Sequence, residues 1–152
     1  MGWQNFEKAG RRFDVLIQNQ ETDCGLCCVA MIVNQLGKGK PSSRTVNGNL
    51  PKGDYKPSTQ DRAGFTPTML TAVSPGNVTH SQGTYLKSLQ QALSVWNIRS
   101  VYNDPRSSNV QTGIASTRSG KPIICHVTWK HGGGHWVVIT HSMGNSHYVL
   151  DP

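Results

Sequence analysis

The segment 24–36 restricts the fold of this chain more than any other stretch. It reads CGLCCVAMIVNQL. Its apolar positions cover most of a helical circumference, which predicts a helix that is buried on most sides. Thr22 or Asp23 can cap the start of this helix, and Gly37 or Gly39 can end it. The chain must therefore build its core around an early helix that begins with a cysteine.

The later elements predict two more helices and then a sheet. The first of these helices has leucines and a tryptophan at spacings of three and four residues. The last third of the chain alternates apolar strands with turn-forming residues, which is typical of an antiparallel meander. Helices followed by a sheet indicate an α+β fold, with the early helix packed on the C-terminal antiparallel sheet. The predicted helices are 84–97 and 110–119, and the predicted strands are 121–130, 135–141 and 147–151.

Between these elements the sequence predicts little regular structure. Residues 40–82 are rich in Pro, Gly, Ser, Thr and Asn, and we expect a long loop with one short helix at 67–73. A short strand is expected at 97–102. The length of 152 residues fits one domain, 1–152, with a core of its own.

The charge balance and hydropathy narrow the class of partner. The net charge is +7 and the isoelectric point is about 9.5, but the basic residues are scattered. Nucleic-acid binding is therefore not favoured, and an acidic protein partner is at least as well supported.

No stretch approaches the roughly 18 apolar residues of a membrane span, and residues 1–12 do not resemble a signal peptide. We expect a soluble protein.

Three of the four cysteines are crowded into five residues. They are Cys24, Cys27 and Cys28, and the fourth is Cys125. A disulfide framework spreads its cysteines to close loops, so this pattern indicates free thiols in a reducing environment.

Cys24 has the position of a nucleophile. A helix N-terminus stabilises a thiolate through its dipole and its unpaired N–H groups, and Gly25 leaves room for a substrate. Gln18 lies six residues earlier, from where its amide could donate to an oxyanion beside the Cys24 N–H. Gln20 is the competing donor, with a less suitable offset.

His135 is the best candidate for a general base, because it begins an apolar strand after three glycines. Gly134 would let a substrate backbone come close, and Trp136 could line the substrate cleft. Strands 135–141 and 147–151 form a hairpin, and a turn centred near residue 143 would place Asp151 beside His135. Asp151 would then orient the imidazole. His147 is the best alternative base.

Other uses of these residues are weaker. A zinc site could combine Cys24 and Cys27 with His131 and His135, but the two pairs are far apart in sequence. A redox Cys-x-x-Cys would need a βαβ pattern upstream, for which the chain has no room. Cys125 is expected in a buried strand. We expect no metal and no cofactor.

Four motifs together resemble the papain superfamily, in particular the double-glycine-leader peptidases that process bacteriocins. They are Gln18, then Asp23-Cys24-Gly25, then His135-Trp136-Val137-Val138, then Asp151-Pro152. The resemblance implies a papain-like fold and a cysteine endopeptidase that accepts glycine just before the scissile bond. Cys24, His135 and Asp151 would form the catalytic triad, with Gln18 as the oxyanion donor.

The resemblance also extends to papain-fold toxin domains of bacterial effectors. It implies delivery into a target bacterial cell, an intracellular protein substrate and a cognate immunity or inhibitor protein. The alternatives are a leader-peptide-processing protease, another acyl-transfer enzyme on this fold (an amidase, deamidase or transglutaminase) and a catalytically inactive binding module. We expect the 40–82 segment to line the substrate cleft, so the four motifs do not determine the identity of the substrate.

Overall fold

The computed structural model describes residues 2–18, 23–48, 78–79, 83–84, 86–101, 109–128, 134–143 and 146–152. Two strands precede the first helix, and three strands close the chain. In chain order the elements are β1 (Trp3–Lys8), β2 (Arg11–Leu16), α1 (Cys24–Gln35), α2 (Ser43–Gly48), β3 (Val78–Thr79), β4 (Gly83–Thr84), α3 (Leu86–Val95), α4 (Asn109–Ser116), a 3-10 turn (Thr117–Ser119), β5 (Ile123–Thr128), β6 (Gly134–Met143) and β7 (Ser146–Leu150).

The first two strands form an antiparallel hairpin that the sequence analysis did not anticipate. Ala9 and Gly10 connect them, with φ angles of 51° and 76°. Two successive residues with positive φ make the kind of tight turn that matches the twist of a hairpin. The hairpin ends at Val15 and Leu16, which are buried, and so leads the chain into the core just before α1.

Helix α1 is buried along nearly its whole length, as its composition predicts. Residues 24–33 are all buried, and several of them have no exposed surface. The helix ends in a Schellman motif: Lys38 N–H donates to the Val33 carbonyl, and Gly37 N–H donates to the Asn34 carbonyl. Gly37 has a φ of 72°, so it ends the helix as expected.

Four expectations for the middle of the chain need correction or fall outside the described residues. The short helix α2 lies in the stretch expected to be loop, and its Val46 is fully buried against the core. Helix α3 begins at Leu86, because Thr84 belongs to β4. No strand occurs at 98–101, where the chain is irregular. The predicted helix at 67–73 lies outside the described residues.

The C-terminal half follows the predicted order. Helix α4 and the 3-10 turn end at Gly120, whose φ is 82°. Strands β5, β6 and β7 form one antiparallel sheet with β6 in the centre. The register shifts between Ile139 and His141, which marks a bulge in β6.

Helix α1 packs against the central strand β6 and also contacts β2, α2 and α3. One core cluster contains most of α1 together with Val15, Leu89, Val138 and Leu150. The fold is therefore an α+β arrangement in which an early helix lies on a C-terminal antiparallel sheet, as expected. No helix in the described parts of the chain has the length and apolar character needed to cross a membrane.

Candidate active site

The sulfur of Cys24 lies where helix α1 begins and strand β6 passes. The backbone N–H groups of Cys24 and Gly25 and the backbone of Trp136 hydrogen-bond to it. Burial raises the pKa of this thiol, and these three hydrogen bonds act in the opposite direction. The helix start therefore supplies part of what a thiolate needs, and the remaining activation has to come from a proton acceptor.

The imidazole of His135 is held by Asp151. His135 Nε2 and Asp151 Oδ1 are 2.6 Å apart, the distance of a strong charge-assisted hydrogen bond. The histidine side chain is 10% exposed and the aspartate side chain 62% exposed, so the pair reaches from the core to the surface. The expected proximity of these two residues is confirmed.

The strand register differs from the one used to predict this contact. Val138 lies opposite Leu150, so the next residue, Asp151, continues beside Val137 rather than beside His135. A residue and the position two residues along from its direct partner on the neighbouring strand lie on the same face of a sheet. Their side chains can therefore meet diagonally. The contact therefore forms across a diagonal.

The segment before α1 is tied to the end of the chain. Gln18 N–H donates to the carbonyl of Pro152 over 2.9 Å, and Ile17 N–H donates to the carbonyl of Gly2 over 3.1 Å. The side-chain oxygen of Gln18 is buried. Gln18 is thus anchored next to the residue that follows Asp151. The competing donor, Gln20, lies outside the described residues.

Asp23 does not cap α1 with its side chain, contrary to expectation. It has helical backbone angles, with φ of −89° and ψ of −11°, whereas a capping residue needs an extended backbone. Its carboxylate is instead fully buried and accepts a hydrogen bond from Ser43 Oγ over 3.3 Å. Ser43 begins α2, so a helix that the sequence did not reveal fixes the residue before Cys24. The other candidate cap, Thr22, lies outside the described residues.

The β6 residues of the candidate site lie on two different faces of the strand. Trp136 and Val138 point to the face that packs on α1, where Val138 is part of the core cluster and Trp136 packs against it. His135 has the opposite parity and shares its face with Asp151. The sulfur of Cys24 is hydrogen-bonded to the backbone of Trp136, the residue that follows His135.

The predicted substrate-side residues have different environments. Gly134 is exposed and Trp136 is half-buried. Gly25, expected to leave room for a substrate, is buried in the first turn of α1, although its N–H faces the Cys24 sulfur.

The remaining candidates are placed away from this arrangement. His147 lies opposite Ser142, far along the hairpin from His135. Cys125 is half-buried in β5, more exposed than expected, and all four cysteines are free thiols. Within the described residues no group of three or more His, Cys, Asp or Glu side chains could hold a metal ion, while His131 lies outside them.

In comparisons of the chain with models of protein families, with curated proteins and with solved structures, nothing matches.

Proposed function

We propose that this chain is a papain-like cysteine hydrolase that cleaves peptide bonds with Cys24 as the nucleophile. One observation carries the proposal. The Cys24 sulfur, at the start of a buried helix, hydrogen-bonds to the backbone of the residue that follows His135, and His135 is itself held by Asp151. A thiol, an imidazole and an orienting carboxylate are the groups that activated cysteine nucleophiles use.

The proton transfers follow from the bonded nitrogen. Because Nε2 of His135 engages Asp151, the other ring nitrogen, Nδ1, accepts the proton of the Cys24 thiol. The thiolate attacks the substrate carbonyl, and the imidazolium then protonates the leaving amine. Water, deprotonated by the same imidazole, attacks the thioester and releases the acid.

The developing oxyanion needs donors close to the sulfur. The Cys24 backbone N–H lies beside the sulfur, and Gln18 is anchored beside the segment that carries Asp151. We assign the second donor to the Gln18 amide, in line with the motif order of papain-like enzymes. Loss of one such donor typically costs a factor of about a hundred to a thousand in kcat.

The substrate class follows from the same resemblance. We propose a peptide or protein substrate with glycine just before the scissile bond. We further propose that the domain acts as an interbacterial toxin inside a target cell, where an acidic immunity or inhibitor protein would complement its net charge of +7.

Cleavage mapping tests the proposed activity. Wild-type protein and a Cys24→Ala variant are incubated with a bacterial lysate, and new protein N-termini are read by mass spectrometry. Cys125→Ala is the matched control, because this half-buried cysteine lies on β5. We expect new termini after glycine with wild type and Cys125→Ala and none with Cys24→Ala.

Two results would count against a peptidase. The first is a set of termini that persists in Cys24→Ala. The second is the absence of new termini while Cys24 still reacts with thiol probes, which would point to amide chemistry on a side chain or on a non-protein substrate.

A further inference from the structure

An exposed histidine on β5 lies against the strand that carries the proposed base. His126 is directly opposite Trp136 in the sheet, and their ring centroids are 4.8 Å apart at an interplanar angle of 66°. This edge-on arrangement is a favourable geometry for aromatic rings. His126 belongs to none of the sequence motifs that indicate the candidate site.

The same imidazole covers Gly134. A β-carbon added to Gly134 would meet His126 Cε1 at 2.7 Å and would come still closer to Nε2. Gly134 and Trp136 are two residues apart and share one face of β6, and His126 spans both. The three residues, His126, Gly134 and Trp136, form one small surface, which we call the imidazole wall.

The imidazole wall is connected to the proposed nucleophile through Trp136. Trp136 is on the face of β6 that packs against α1, and its backbone hydrogen-bonds to the Cys24 sulfur. The His135 ring is on the opposite face, where it would protonate the leaving amine. We infer that the acyl part of a substrate, which becomes attached to Cys24, lies on the side of the imidazole wall.

We propose that His126 is a specificity-determining residue that restricts the substrate residues just before the scissile bond to glycine. The imidazole fills the space above Gly134, and Trp136 closes the surface next to it, so a side chain on the acyl part would meet two rings. The inference rests on the proposed peptidase activity, and it assigns the glycine preference to a residue outside the motifs that suggested that activity.

Changing the size of residue 126 tests the proposal. Peptides ending in Gly-Gly, Ala-Gly or Gly-Ala before a fluorogenic amide are compared as substrates of wild type, His126→Ala and His126→Phe. We expect His126→Ala to raise kcat/KM for at least one alanine peptide by about tenfold relative to Gly-Gly, the usual size of such steric discrimination. His126→Phe keeps a ring and should keep the wild-type preference. His147→Ala, an exposed histidine on β7, is the matched control.

Thermal unfolding of a double-mutant cycle gives a second readout that needs no cleavage. Gly134→Ala should lower Tm in the wild-type background, because the new methyl group displaces the His126 ring. In the His126→Ala background the same substitution should lower Tm by less, since the ring is gone. Equal losses in both backgrounds would contradict the close contact on which the proposal stands.

The outcomes separate this inference from the proposed function. Unchanged selectivity in His126→Ala, with the wild type active, overturns the role of His126 alone. A wild type that cleaves none of the three peptides and gives no Cys24-dependent termini in lysate overturns the peptidase and the inference together.

Discussion

Replacing Asp151 by asparagine separates the charge of this carboxylate from its hydrogen bond to His135. An asparagine oxygen can still accept from His135 Nε2 at the observed separation of 2.6 Å, but it carries no charge to stabilise the imidazolium. Two unit charges about 4 Å apart attract by roughly 1 kcal/mol in water and roughly 4 kcal/mol at an effective dielectric constant of about 20.

The solvent exposure of His135 and Asp151 indicates which of these two attraction energies applies. The Asp151 side chain is 62% exposed, so solvent screens it and the lower part of the range applies. We expect a loss of about 1–2 kcal/mol in transition-state stabilisation, which is a fall of roughly five- to thirtyfold in kcat/KM. Asp151→Ala also removes the hydrogen bond and should cost roughly a hundredfold or more.

The assay is hydrolysis of a Gly-Gly fluorogenic peptide by wild type and both variants, at low and at high salt. The cost of Asp151→Asn should shrink at high salt, because exposed charges are screened. Equal losses for asparagine and alanine would refute the contribution of charge. Full activity in both variants would remove Asp151 from the site.

Three further predictions concern the folded state. Burial raises the pKa of Cys28 well above its ordinary value of 9.0, so the folded chain keeps this proton when the unfolded chain loses it. The free energy of unfolding should therefore fall as pH rises above 9.0, by up to about 1.4 kcal/mol per pH unit for this thiol. Urea unfolding of Cys28→Ala should show a smaller fall over the same pH range. Equal slopes of the free energy of unfolding against pH in the two proteins would contradict this. Changing Leu26, which is 1% exposed, to alanine should lower the free energy of unfolding by about 2–5 kcal/mol in denaturant titrations. The same change at Leu36, which is 45% exposed at the end of the same helix, should lower it by well under half as much. Similar losses at the two positions would show that burial does not decide the loss of stability. Ala9→Gly should stabilise the first hairpin by about 0.5–1 kcal/mol by relieving a φ of 51°, and a lowered Tm would count against this assignment of strain.

The buried helix and the C-terminal sheet were predictable because strong local signals agree with the packing. The apolar run of α1 indicates burial on most sides, and Gly37 supplies the left-handed residue that a Schellman motif needs. Alternating apolar strands separated by turn residues define β5, β6 and β7.

The first hairpin and α2 were missed because their local signals are weak. Strands β1 and β2 expose most of their residues, and the turn uses Ala9 rather than the usual asparagine or aspartate. Helix α2 is six residues long with little intrinsic helix propensity, and burial of Val46 against the core helps to stabilise it.

In the candidate site, too, some contacts were predictable from the sequence and others were not. Hairpin pairing predicted that His135 and Asp151 meet, but not the bulge near Thr140 that shifts the register. The hydrogen bond from Ser43 to Asp23 and the contact of His126 with Gly134 join residues from separate elements. Such contacts depend on the tertiary register, which single-sequence patterns do not contain.

The most direct test of the central claim is the pH dependence of Cys24 alkylation by iodoacetamide, resolved by mass spectrometry, in wild type and His135→Ala. Cys125 serves as the internal reference. Burial raises the pKa of the Cys24 thiol, so without a base it should react only as pH rises above 9.0. We expect rapid alkylation of wild-type Cys24 at neutral pH, and in His135→Ala a rate that is low at neutral pH and increases only in alkali. Identical pH profiles in the two proteins would contradict activation of Cys24 by His135.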